Sequence, residues 1–199
     1  MTRIGIFGGT FDPPHKGHIA IAEQARKQLC LDKIYFVPAY IPPHKLKIHL
    51  GQKHSSMTAI HRLKMVKLAI KGRKEFKVST IELKRKGISY TVDTIKNFKR
   101  QFPNAELVMI IGADNLAQFQ SWKSPETILA LASLAVYKRK GFNKYLKNPP
   151  ITFEQIKGRI LQVSSTEIRN RIRKGMSIES LVPECVANYI EQYSLYMEE

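Results

Sequence analysis

The stretch that most constrains this chain is residues 4 to 18, IGIFGGTFDPPHKGH. Ile4, Ile6 and Phe7 form a short apolar run that stops at a glycine pair, the pattern of a buried strand ending in a tight turn. Gly8 and Gly9 accept backbone angles closed to other residues and let a ligand approach the main chain. Pro13 and Pro14 stiffen the connection, and from His18 onward Ile21, Ala22, Ala25 and Leu29 recur at helical spacing. His15 and His18 sit three apart, and the second histidine therefore lies near a helix start, where backbone N–H groups lack partners and the helix dipole is positive. Strand, glycine turn and helix start together describe a phosphate site. As a zinc site the pair is weak, because no second pair matches it and both cysteines are distant in sequence.

Lys33 to Val37 supplies a second apolar strand, so the chain opens βαβ and a parallel sheet with right-handed crossovers is expected. Residues 38 to 56 read as a long loop rich in Pro, His, Lys and Ser, a candidate binding loop containing Lys45. A helix is predicted over 57–70, with His61 and Arg62 read as structural, then an extended segment over 76–83 with Val78 and Ile81 in the core. The stretch 88–94 leads into a helix to about Phe102, and its hydroxyls, Thr91 among them, either cap that helix or bind a ligand.

Glu106 to Ile111 is the most apolar strand of the second half and ends at Gly112-Ala113-Asp114. In an open α/β sheet, ligands gather at strand carboxyl ends where the strand order reverses, so Asp114 is either a ligand contact or the N-cap of the next turn. Trp122, the single tryptophan, reads by itself as simple core. Further strands are expected over 134–137 and 158–163. Ser164, Ser165 and Thr166 then cap a helix in which Arg169, one turn in, is placed for a two-pronged phosphate contact. A last helix over 184–193 should pack through Val186, Tyr189 and Ile190.

The chain has 199 residues, 43% of them apolar, which suits one domain with one sizeable core. No stretch approaches a membrane span and the amino terminus reads as a strand rather than a signal peptide, so a cytoplasmic protein is expected. Cys30 and Cys185 sit in separate helical segments and are expected to be buried free thiols. The formal charge of +17 is the outlier. Residues 44 to 77 carry ten Lys or Arg against one acid, Glu75. A purely nucleic-acid-binding module would explain that charge, but the lysines are scattered without aromatic interleaving. A basic field drawing in nucleotide phosphates is the preferred reading.

Gly-Gly-Thr-Phe-Asp-Pro-Pro-His-Lys-Gly-His resembles the signature of the nucleotidyltransferases related in fold to class I aminoacyl-tRNA synthetases, most closely the bacterial nicotinate mononucleotide adenylyltransferases. Pro42-Pro43-His44-Lys45, Tyr90-Thr91-Val92-Asp93-Thr94, Ile111-Gly112-Ala113-Asp114, Trp122 and Ser164-Ser165-Thr166-Glu167-Ile168-Arg169 follow in that family's order, so the resemblance covers almost the whole chain. It implies a Rossmann-like doubly wound parallel sheet in one domain, with a small helical part over about 164–199.

The resemblance implies adenylyl transfer from ATP to nicotinate mononucleotide, with Mg²⁺ held by the ATP phosphates rather than by protein side chains. The implied catalytic residues are His15, His18 and Arg169. Gly8, Gly9, Thr10, Phe11, Gly112, Asp114, Ser165 and Thr166 join them around ATP, and Lys45, Thr91, Trp122 and Arg139 serve the mononucleotide. Lys140 stands where the relatives usually carry proline. A sister transferase, such as one acting on phosphopantetheine, shares the two phosphate motifs, whereas the Tyr90–Thr94 segment and Trp122 argue against it. Oligomeric state stays open.

Overall fold

A computed structural model describes residues 1–43, 55–139, 141–142, 146, 151–158, 161 and 163–197, with the side chains of 55–58 outside the description. The elements run β1 (Arg3–Gly9), α1 (Lys16–Gln28), β2 (Lys33–Pro38), α2 (Ser55–Ala69), β3 (Phe76–Val78), α3 (Ile81–Arg85) and α4 (Thr91–Gln101). They continue through β4 (Glu106–Gly112), α5 (Ala113–Ala117), a 3₁₀ turn (Phe119–Ser121), α6 (Pro125–Leu131), β5 (Ser133–Tyr137), β6 (Glu154–Ile156), α7 (Ser165–Arg173) and α8 (Glu184–Gln192). The six strands form one parallel sheet in the order β3-β2-β1-β4-β5-β6. This is the doubly wound arrangement expected from the sequence. The order reverses between β1 and β4, so the carboxyl ends Gly9 and Gly112 border the crevice where such folds bind ligands.

Alternation along the central strands divides the core into two layers. On β1, Ile4 and Ile6 join Leu107, Met109 and Ile111 of β4 beneath α4 and α6. Phe7, Val108 and Ile110 face the other way, into a layer shared with Ala22 and Ala25 of α1, Met65 of α2, Ile168 of α7 and Ile190 of α8. Each of the larger side chains among them, nearly free of solvent, contributes about 1.5–3 kcal/mol by its burial. Gly5 belongs to this second face because a Cβ there would come within 2.9 Å of Leu31. The helices α7 and α8 pack into the same layer as α1, and Val186, Tyr189 and Ile190 are buried as expected. At the amino ends of the strands, remote from the crevice, Arg3 grips Glu106 through two hydrogen bonds of 2.9 and 2.8 Å and reaches Glu154 at 3.1 Å.

Three sequence expectations fail. Residues 81–85 are helical rather than extended, because the good helix formers Ile-Glu-Leu-Lys-Arg follow Ser79, whose hydroxyl accepts the Ile81 N–H. The last strand among the described residues is 154–156; of the strand expected over 158–163, residues 158, 161 and 163 are not strand, and 159, 160 and 162 lie outside the described residues. Ile156 is the residue with a core to enter, and Gly158, at φ +123°, breaks the extended run in a conformation other residues rarely adopt. Both cysteines are free but exposed: Cys30 lies in the turn after α1, and Cys185 donates from Sγ to the Leu68 carbonyl at 3.3 Å. Among the described residues no helix is long and apolar enough to cross a membrane.

Candidate active site

The β1–α1 connection builds the centre of the site. His15 is the N-cap of α1, in an extended conformation. Its Nδ1 accepts the His18 N–H at 3.3 Å, and His18 Nδ1 accepts the His15 N–H at 3.2 Å. This reciprocal cap fixes both rings. It also fixes their tautomer, since an accepting Nδ1 on a neutral imidazole leaves the proton on Nε2. The rings stack at the helix start with centroids 3.6 Å apart and planes 24° apart. Gly17 lets them do so, because a Cβ there would lie 3.0 Å from His15 Nδ1. Phe11, buried and at φ +51°, meets His18 edge-on at 5.0 Å and closes the far side of the ring.

Helix α7 brings the second half. Ser164 is its N-cap and accepts the Glu167 N–H at 3.1 Å. Ser165 Oγ donates to the Pro13 carbonyl at 2.9 Å, and Arg169 donates to the Asp12 carbonyl at 2.7 Å and to Thr166 Oγ1 at 3.4 Å. The amino ends of α1 and α7 are thereby tied to one loop, Asp12–Pro14. Two helix starts with the side chains of His15, His18, Thr166 and Arg169 make a strong anion cradle. Arg62 of α2, buried as expected of a structural residue, supports the loop from below by donating to the Thr10 carbonyl at 2.7 Å.

Beside the cradle lies a cavity of about 360 Å³, the size of a small-molecule site. Its lining runs from Gly8, Gly9 and Thr10 to Thr91 and Trp122, so it joins the phosphate loop to the tryptophan. Pro42 and Pro43 also line it, whereas Lys45 and Lys140 fall outside the described residues. Thr91 opens α4 without capping it: the N-cap is Tyr90, with no side-chain bond. Two hydroxyls of this segment, Ser89 and Thr94, serve a buried carboxylate, Glu82, which accepts from Thr94 at 2.6 Å. Burial raises the pKa of Glu82, offset in part by its hydrogen bonds from Thr94 and Ser89. Ser89 Oγ in turn accepts the Tyr40 N–H at 2.8 Å, which ties two walls of the cavity together.

At the carboxyl end of β4, Gly112 is the N-cap of α5 and Asp114 does not cap it. Asp114 pairs instead with Arg139 at 3.4 Å, while its buried Oδ1 has no partner among the described residues. Gly112 is required there, since a Cβ would run into Asp114 and Tyr137. Arg139 is absent from the described cavity lining; its charge acts on His15 and His18.

Burial, with the Arg139 charge adding to it, pushes the His15 imidazole down to about 4. Burial, then His15 and Arg139, hold His18 well below its usual value. Both rings are neutral at pH 7. A histidine with a folded pKa below its unfolded value takes up protons more readily when unfolded, so stability present above about pH 6.5 is lost as pH falls toward 4. For His15 the full loss is about 3 kcal/mol. The ligand-free protein is expected to melt at lower temperature at pH 5 than at pH 7, with a smaller difference in His15→Asn, which keeps a cap acceptor. An unchanged difference in the variant assigns the loss to other groups.

The structure thus brings His15, His18, Ser165, Thr166 and Arg169 to one loop and Gly8, Gly9, Thr10, Thr91 and Trp122 to the adjoining cavity. Sequence reasoning missed Glu82, whose carboxylate had no readable partner, and Lys123, which lines the cavity with its Nζ 4.5 Å from the Tyr90 ring centre.

The family described as Cytidylyltransferase-like matches residues 6–171. The chain is 40% identical over 197 residues to the nicotinate-nucleotide adenylyltransferase of Bacillus subtilis, covering 98% of this chain and 99% of that one. It is 41% identical, with the same coverage, to a protein of Bacillus licheniformis named probable nicotinate-nucleotide adenylyltransferase. Among solved structures, a nicotinic acid mononucleotide adenylyltransferase of Plasmodium falciparum, complexed with NaAD, matches over 98% of each chain with a TM-score of 0.75 at 23% identity. At that identity the likeness is one of fold.

Proposed function

The chain belongs to the cytidylyltransferase-like family and within it to the nicotinate-nucleotide adenylyltransferases, and from this and the site geometry we propose that it transfers the adenylyl group of ATP to nicotinate mononucleotide in NAD biosynthesis. The observation that carries the reading is the continuity of the cavity from Trp122 to Gly8–Thr10. A mononucleotide with its ring at the tryptophan end directs its phosphate toward the cradle. Lys123 at that end gives the acid form of the ring a positive partner.

A phosphate oxygen of the mononucleotide attacks the α-phosphorus of ATP in line, the bond to the β-phosphate breaks, and pyrophosphate leaves. A phosphate monoester has its second pKa near 6, so the nucleophile is largely ionised at neutral pH and needs no protein base. The protein's task is positioning and charge stabilisation. In this proposal the neutral Nε2–H groups of His15 and His18 donate to the ATP phosphates, with His18 nearest the reacting phosphorus. Ser165, Thr166 and Arg169 hold the β- and γ-phosphates and keep them as they leave. Gly112 and Asp114 frame the nucleoside.

Asp12 accepts the Tyr196 hydroxyl at 2.7 Å, and Asp114 pairs with Arg139 through one of its two oxygens. We therefore assign Mg²⁺ to ATP oxygens and water, where it offsets triphosphate charge. A cytoplasmic setting goes with these substrates.

The test is pyrophosphate release from ATP, Mg²⁺ and either nicotinate or nicotinamide mononucleotide, with fast release expected for the acid; no release with either refutes the reading. Trp122→Ala is expected to raise KM for the mononucleotide about tenfold, as loss of one ring-stacking partner does, with kcat changed less. An unchanged KM would return Trp122 to the core.

A further inference from the structure

Helix α8 is followed by a segment that bends back to the phosphate loop. Ser194 and Tyr196 both have positive φ, +47° and +68°, uncommon for residues other than glycine and sustained only where the surroundings fix them. The Leu195 N–H donates to the Ile190 carbonyl at 3.0 Å, and Leu195 and Tyr196 pack on the core layer shared with α1. The bend delivers the Tyr196 hydroxyl to Asp12 Oδ1 at 2.7 Å, across 184 positions of sequence.

Asp12 lies under the cradle beside the guanidinium that the phosphates need. Its other oxygen, Oδ2, is 3.9 Å from Arg169 Nη1, too long for a hydrogen bond, whereas the same nitrogen reaches the Asp12 backbone carbonyl at 2.7 Å. Both side chains are about three-quarters shielded from solvent. In that setting a carboxylate free to turn would close on the arginine as a charge-assisted pair and compete with a nucleotide for its donors. Burial, and then Asp12 itself, raise the Tyr196 pKa, so the phenol stays a donor across the working pH range. Among the described residues, the other charges acting on this tyrosine are Arg169 and Arg62, the latter committed to the Thr10 and Tyr40 carbonyls.

We propose that Tyr196 is a positioning residue for ATP: its hydroxyl holds the Asp12 carboxylate off Arg169 and so leaves that guanidinium to the phosphates. The proposal rests on the ATP half of the proposed function and not on the choice of acceptor. Tyr196→Phe removes one oxygen and keeps the packed ring. Titration calorimetry with the α,β-methylene analogue of ATP and Mg²⁺ is expected to show about a tenfold weaker Kd, the order of one such hydrogen bond, while kcat at saturating ATP stays within about twofold. In an Asp12→Asn background the same change should bring no further loss, because no charge remains to compete. Leu195→Ala, which loosens the same segment but keeps the Tyr196 hydroxyl, should lower Tm and weaken the Kd by less than Tyr196→Phe does.

A wild-type Kd in Tyr196→Phe, a loss that persists in the Asp12→Asn background, or an equal loss in Leu195→Ala would each overturn the proposal. A wild-type chain that binds the analogue but releases no pyrophosphate with any mononucleotide fails the choice of acceptor alone. One that does not bind it fails both.

Discussion

Replacement of His18 by alanine is expected to lower kcat by about a hundredfold or more in a protein that stays folded, the usual cost of removing one preorganised donor. The ring does two separable jobs. Its Nδ1 accepts the His15 N–H and so completes the helix cap, and its Nε2–H is the donor that the proposed chemistry uses. Loss of the cap costs about 1 kcal/mol, too little to unfold a domain of this size. Loss of the donor acts on the charge that develops at the α-phosphate, so kcat should fall much further than the affinity for ATP. Because burial and the neighbouring His15 and Arg139 already hold the ring neutral, the wild-type rate should show no step near pH 6.5 from this group. Melting curves establish the fold of the variant and pyrophosphate release gives its rate. A near-normal kcat in a folded variant would remove His18 from the chemistry.

The first βα unit was legible because its signals are local. An apolar run, a glycine pair and a helical repeat occupy one short stretch, and the physics that reads them needs nothing from elsewhere in the chain. The same holds for Ser165 and Arg169, about one turn apart on α7. Glu82 was illegible for the opposite reason. Its helix spans only Ile81–Arg85, too short to display a period, and its partners Ser89 and Thr94 lie across a turn. Asp114 and Arg139 meet only because β4 and β5 are adjacent in the sheet, with Gly112 opposite Tyr137. The bond from Tyr196 to Asp12 closes the longest separation of all, and no pattern in either segment announces it. What sequence periodicity carries is which face is buried; what it omits is which distant polar group completes a site.

Removal of the Arg169 side chain should give the other large loss, since its guanidinium serves the loop and the nucleotide at once. One nitrogen is spent on the Asp12 carbonyl at 2.7 Å and a weaker bond goes to Thr166, which fixes the plane of the fork. The remaining donors are therefore preoriented at the amino end of α7, where the helix dipole already favours anions. Two charge-assisted bonds to the β- and γ-phosphates, at about 1.5–3 kcal/mol each, predict that Arg169→Ala lowers kcat/KM for ATP by about a hundredfold or more. Lysine restores the charge but not the planar fork, so Arg169→Lys should recover only part of the loss. The reverse reaction separates phosphate binding from loop support. If the side chain holds the same two phosphates before and after the transfer, the variant's KM for pyrophosphate must rise in step with its KM for ATP. A rise for ATP alone, with pyrophosphate unaffected, would mean that Arg169 acts through Asp12 and the loop, and that other donors in the cradle hold the leaving group.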